Sequence, residues 1–386
     1  MTKEKIILTR RQIKNYIFYL AYFSQVINVY VLGYTTLVYN SNTIIKLIQT
    51  TNKYISLSLI IGIVFYQINR NLYRKKSLYI ALLFVGIAII SAIKSSNYNI
   101  FYALIFTIAA VDIDHKSFLK YDIIFKILCI SCVFVLCRLN IIENYIYYKD
   151  NRIVESLGFT HPNFLAICIA FLVIEYICYK NNKLKIKNYI ILIVISLLQY
   201  RITGSITGML IIIFCILLSL LCNCSVVMRN LINEMSKYMY IICSTLFLTF
   251  AINYNLFTTF IVEKFGSNML SRLIYANRAI NEYGLRIFGQ RIRLISNEAA
   301  QEAGVSAFIL DSSYIRLISI YGILIFIIFG VVYYKLAKYF GKNGLIGSVI
   351  SIIVILICGI SESHMLIFQI NFLFVLFGSL LRRRET

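Results

Sequence analysis

Residues 206–221 read ITGMLIIIFCILLSLL, and residues 345–360 read LIGSVISIIVILICGI. Neither stretch carries a charge. Each approaches the roughly 17–25 apolar residues that take a helix across a bilayer. Outward from these two, the same texture centres on Tyr16–Tyr39, Tyr54–Ile68, Leu78–Ile93, Ile100–Val111, Ile123–Leu139, Asn163–Tyr179, Tyr189–Tyr200, Tyr238–Leu256, Tyr314–Tyr334 and Met365–Leu381. Every backbone group at membrane depth must be hydrogen-bonded internally, and no alternating strand pattern appears. The expected fold class is therefore all-α: a polytopic integral membrane protein of about 12 transmembrane helices.

Composition agrees. Of 386 residues, 60% are hydrophobic and 14% charged, with mean hydropathy +0.80, against about 25% charged in soluble domains. The net charge of +22 is read as orientation in, and attraction to, membrane lipid rather than as nucleic-acid binding. All ten cysteines sit in or beside the apolar runs as small hydrophobes. Cys222 and Cys224 have no second pair or histidine cluster, so neither metal nor cofactor is indicated. Basic residues Lys3, Lys5, Arg10, Arg11 and Lys14 precede the first run with no small-residue cleavage site behind it, which predicts a retained signal anchor. Lys and Arg also gather at Arg70–Lys76, Lys116–Lys120, Lys180–Lys187, Arg229–Lys237, Lys335–Lys342 and Arg382–Arg384, while the intervening loops hold fewer. That asymmetry predicts both termini in the cytoplasm.

One outer connection is long. It divides the chain into a transmembrane region 1–256, an extracytoplasmic loop 257–313 and a transmembrane region 314–386. Within the loop, Leu273, Ala276, Ile280, Tyr283 and Ile287 recur at helical spacing, which predicts an amphipathic helix. Arg278 and Arg286 each lie four residues from Glu282, whereas Arg272 has no acidic partner at such a spacing and is the better candidate for binding an anion. Asp311 stands at the entrance of the next span, where an N-cap would suffice to explain it. His161, before Pro162, fits a helix start or a polar group at a cavity mouth. His364, in GISESHM, also falls at an expected outer helix end. Arg201, in QYRITGSITGM, fits either snorkelling to lipid head groups or holding a phosphate.

Taken in order, GF-x-HPNF (Gly158–Phe164), TGS-x-TG (Thr203–Gly208), LSRL and FGQ in the long loop, DSSY (Asp311–Tyr314) and IYGI (Ile320–Ile323) resemble the Wzy-type polysaccharide polymerases, relatives of the O-antigen ligases. The resemblance runs from about Gly158 to the C-terminus. Ile206 stands where the family commonly has arginine, and Asp311 where the ligases have histidine. The resemblance implies a GT-C-like glycosyltransferase in a bacterial cytoplasmic membrane. It would join undecaprenyl-pyrophosphate-linked oligosaccharides on the outer face, beside a flippase and a chain-length regulator. It also implies pyrophosphate binding by Arg201, Arg272, Arg291 and Arg293, with His161, Asp311 and Arg272 as catalytic candidates. An O-antigen ligase-like transferase, or a flippase or transporter, is the alternative. A transporter would carry charges deep in several spans, and Lys126 is the main one legible in the sequence.

Overall fold

The computed structural model describes residues 3–38, 43–149, 152–296, 300–301 and 304–383. Arg384 lies outside these, as do the side chains of Lys3, Lys5, Arg10 and Lys149. The chain is nearly all helix. Helices α1 (Lys3–Tyr30), α2 (Thr43–Asn69), α3 (Lys75–Ser95), α4 (Asn99–Ala109) and α5 (His115–Arg138) precede a small antiparallel hairpin, β1 (Ile146–Lys149) with β2 (Arg152–Glu155). Then follow α6 (Pro162–Tyr179), α7 (Ile186–Thr203), α8 (Ile206–Cys224), α9 (Val226–Ser236), α10 (Met239–Ile252), α11 (Thr258–Phe265) and α12 (Ser267–Tyr283). The last long helices are α13 (Ile323–Lys342) and α14 (Ile346–Ser361).

Six of these helices are long and apolar enough to cross a membrane, or seven if α9 and α10, bent by 62°, make one span. α4 and α14 are shorter apolar helices. Burial sorts the bundle into a centre and a rim. α6 and α14 are buried on nearly every face, whereas α2, α3 and α7 turn most of their apolar side chains outward, as lipid-facing helices do. Between helices in lipid, close approach and polar contacts replace the hydrophobic drive. Accordingly, Gly347 of α14 meets the α6 backbone so closely that a Cβ would sit 2.6 Å from the Ile177 carbonyl oxygen. Ser351 donates to the Ile174 carbonyl across the same seam.

Four local expectations change, one being the span expected at Tyr314–Tyr334, which breaks at Gly322 so that its long helix runs Ile323–Lys342. The first span, expected as Tyr16–Tyr39, is helical only to Tyr30. Beyond it the chain turns to pair with the GFT segment: Thr36 N–H donates to Gly158 O, and Thr160 N–H to Tyr34 O. The hairpin Ile146–Glu155 was not expected, although its Ile, Tyr and Val residues flank polar turn formers. The last expected span, Met365–Leu381, is a chain of short helical pieces and turns. Buried Asn371 causes this in part, for its amide donates to Met365 O and Tyr333 Oη while its carbonyl accepts from Leu373 N–H. Such irregular backbone is tolerated where protein rather than lipid surrounds it, and residues 368–377 are buried throughout.

Cys132 and Cys224 are exposed on helices, whereas the other eight cysteines are buried. If α5 and α8 face lipid at these positions, membrane-impermeant maleimide on intact cells labels no native cysteine, while Ser296→Cys, at an exposed loop position, labels readily. Strong labelling of the native chain, or none at Ser296→Cys, overturns the expected orientation.

Candidate functional site

The residues singled out in the sequence cluster only in part, and the cluster is built by α12, the DSSY segment and the end of α14. α12 forms as its spacing predicts, burying Leu273, Ala276 and Ala279. It stops at Tyr283 before Gly284, so Ile287 is exposed beyond its end rather than part of its buried stripe. For the same reason Arg286 is not at helical spacing from Glu282. Arg278 alone pairs with Glu282, at 2.8 Å, and its guanidinium also lies 4.7 Å from the centre of the Phe308 ring.

Arg272 departs most from expectation. Without an acidic neighbour on its own helix, it points between two carboxylates from distant sequence. Its Nε donates to Asp311 Oδ2 at 3.2 Å, and its Nη2 to Glu362 Oε1 at 3.4 Å. Asp311 is free for this because Ser312, not Asp311, caps the following helical turn by accepting from Tyr314 N–H. The rest of the DSSY motif is a clasp on α14: Ser312 donates to Gly359 O, Ser313 to Glu362 O and Tyr314 Oη to Leu356 O. These bonds bring Asp311 beside Glu362.

Glu362 is largely buried, with a side chain 8% exposed, whereas Asp311 is 39% exposed and open to an incoming group. His364 completes the cluster, its Nδ1 3.3 Å from Glu362 Oε2 but off hydrogen-bonding geometry. Its ring lies 5.5 Å from that of Phe164, which in turn stacks on Tyr34 at 4.0 Å. One half-buried cation held by two carboxylates, with a histidine beside them, is chemically an acid–base site with a fixed positive charge.

The other candidates are described by their local contacts. His161 caps α6, its Nδ1 accepting from Asn163 N–H at 3.1 Å, and its ring lies 5.5 Å from Tyr147. The TGS-x-TG segment is a tight reversal between α7 and α8. Gly204 takes the left-handed conformation that ends α7. Ser205 caps α8 through Gly208 N–H, and a Cβ on Gly208 would lie 3.0 Å from Ala166 Cβ. Arg201 at the end of α7 is exposed, as are Arg291 and Arg293, and among the described residues none of the three side chains makes an ion pair or hydrogen bond. Glu362 went unnoticed in the sequence, although it stands two residues before His364 in GISESHM.

A second cluster lies inside the bundle, where the sequence showed Lys126. Asp122 on the same helix and Glu175 on α6 join it at 2.7 and 3.0 Å. Lys126, the main mid-span charge legible in the sequence, is therefore one member of a triad. No protein-family model, curated protein or solved structure matches this chain.

Proposed function

We propose that the protein is a polysaccharide polymerase of the Wzy type, with both termini cytoplasmic, about 12 crossings and a GT-C-like architecture. The observation that carries this reading is the placement of Arg272 between Asp311 and Glu362 at the end of the bundle that holds the long loop. Ordered motifs of the long loop and the DSSY segment, which the resemblance rested on, are the ones that build this cluster.

In the proposed reaction a sugar hydroxyl of a new lipid-linked repeat unit attacks the anomeric carbon of the growing glycan. Asp311, the more open carboxylate, accepts the hydroxyl proton as the new C–O bond forms. The anomeric carbon's bond to phosphate breaks, and undecaprenyl pyrophosphate leaves with the electron pair. Arg272 offers a permanent, forked cation to that developing charge. Glu362 holds the guanidinium in position from the buried side. Arg201, Arg291 and Arg293 remain as exposed cations that can attract the pyrophosphate on approach.

The buried triad favours a second reading, a transporter of lipid-linked oligosaccharide, because intramembrane charges commonly mark translocation paths. The two readings part at the leaflet that holds the substrate. In Asp311→Asn cells a polymerase leaves single lipid-linked units on the outer leaflet, open to an impermeant glycosidase on spheroplasts. Accumulation on the inner leaflet sinks the polymerase reading.

A further inference from the structure

The triad of Asp122, Lys126 and Glu175 presents a donor count that does not close. All three side chains are 0–1% exposed. Lys126 Nζ donates to Glu175 Oε2 at 3.0 Å and to the carbonyl of Ile370 at 3.4 Å, and it forms an ion pair with Asp122 Oδ2 at 2.7 Å. Tyr22 Oη of α1 donates to Asp122 Oδ2 at 3.0 Å. What remains are two carboxylate oxygens, Asp122 Oδ1 and Glu175 Oε1, both buried and, among the described residues, without a donor.

Charge shows the same imbalance. With both carboxylates ionised, the triad carries one net negative charge in a region closed to water. The other titratable groups around it are the tyrosines Tyr19, Tyr22 and Tyr30 of α1 and the thiols Cys129 of α5 and Cys168 and Cys178 of α6, with no further cation among the described residues. Asp122 Oδ2 and Glu175 Oε2 meet on the one ammonium, 2.7 and 3.0 Å from Nζ, so the two carboxylates are neighbours. Two carboxylates so placed cannot both remain ionised without a large penalty, and one proton removes both defects at once.

We propose that Asp122 and Glu175 form an intramembrane proton-binding site, sharing one proton between Oδ1 and Oε1 while Lys126 balances the remaining charge. The triad is then neutral, with its two orphan oxygens joined by a carboxyl–carboxylate hydrogen bond. It ties α1, α5, α6 and the irregular C-terminal segment at Ile370 into one polar knot. This assignment is independent of the polymerase reading, because it rests on donors and charge rather than on the Arg272 cluster.

The test is infrared spectroscopy of the full chain reconstituted in phosphatidylcholine vesicles. The carbonyl stretch of a protonated carboxylic acid is expected at neutral pH, well above the roughly 4 at which free carboxyls ionise. Carbon-13 labelling of aspartate and glutamate side chains should shift it. The band should vanish in Glu175→Gln and also in Asp122→Asn, since either leaves a single carboxylate paired with Lys126, and it should persist in Glu362→Gln. Each single amide should keep the wild-type melting temperature, because its N–H donates where the shared proton stood, while the double amide variant, which leaves Lys126 uncompensated, should melt lower. Absence of the band in the wild type overturns the site even if no variant folds. A band that survives either single substitution overturns the sharing.

Discussion

Cells carrying Arg272→Ala or Arg272→Lys are expected to make no polymer and to retain single repeat units on the lipid carrier. Turnover should fall by about 100-fold or more, the usual loss when a fixed donor is removed from developing negative charge. Alanine removes the cation outright and leaves buried Glu362 without its arginine partner. Lysine keeps the charge but has a single point of donation. It cannot reproduce the geometry in which Nε serves Asp311 while Nη2 serves Glu362. Arg278→Ala serves as the contrast. It loses an exposed pair with Glu282 and a stacking contact on Phe308, which together are worth about 1 kcal/mol, so polymer length should be near normal. Glycan ladders measured at matched protein levels decide the matter. Full-length polymer from Arg272→Ala removes this residue from the site.

A comparably large effect is expected from Gly322→Ala and Gly289→Ala, this time on folding. The FGQ and IYGI motifs meet backbone to backbone: Gln290 N–H donates to Ile320 O, Ile323 N–H to Arg286 O and Leu324 N–H to Ile287 O. A Cβ on Gly289 would lie 2.1 Å from Ile320 O, and one on Gly322 would lie 2.2 Å from Gly289 N. Both glycines also have positive φ, +79° and +99°. Left-handed strain alone costs about 1–3 kcal/mol, and here the overlap with rigid backbone adds to it. Gly266 isolates the first contribution, since its φ is +82° with nothing within 4 Å of a Cβ. Gly266→Ala should give a monodisperse protein in detergent with a modestly lowered melting temperature, whereas the other two should yield little or no folded material. Equal stability of Gly322→Ala and Gly266→Ala is the outcome that would falsify the backbone seam.

Both predictions concern features of the long loop that were visible as motifs before their purpose was. The glycines and the DSSY segment stood out as residues in a recurring order. Their role as seams that fasten the loop to α13 and α14 depends on partners many positions away. The membrane character of the chain, its nearly all-helical build and the amphipathic α12 follow from local periodicity and apolar run length. So do the capping of α6 by His161 with Pro162 and the tight reversal at Gly204, because each is decided within a few residues of sequence. The unbroken twelfth span fails for a local reason that hydropathy does not weigh: buried Asn371 takes over backbone partners that a helix would have used.

Only the tertiary structure decides the sites. Arg272 meets Asp311 across 39 positions and Glu362 across 90, and no spacing rule connects residues on separate elements. The absence of an acidic neighbour on its own helix marked Arg272 as a free cation, whereas folding supplies two. Lys126 behaves likewise. Alone in a hydrophobic run it reads as an isolated charge, and Asp122 one turn before it gives half of the explanation. Glu175, on a neighbouring helix, completes it. A charge inside a bundle is stabilised by whichever groups packing brings within about 3 Å, and packing is set by the whole set of helices at once. The sequence by itself determines which segments become helices and which faces are apolar, because those follow from local backbone bonding and burial; which polar side chains share a site is decided by how the helices pack.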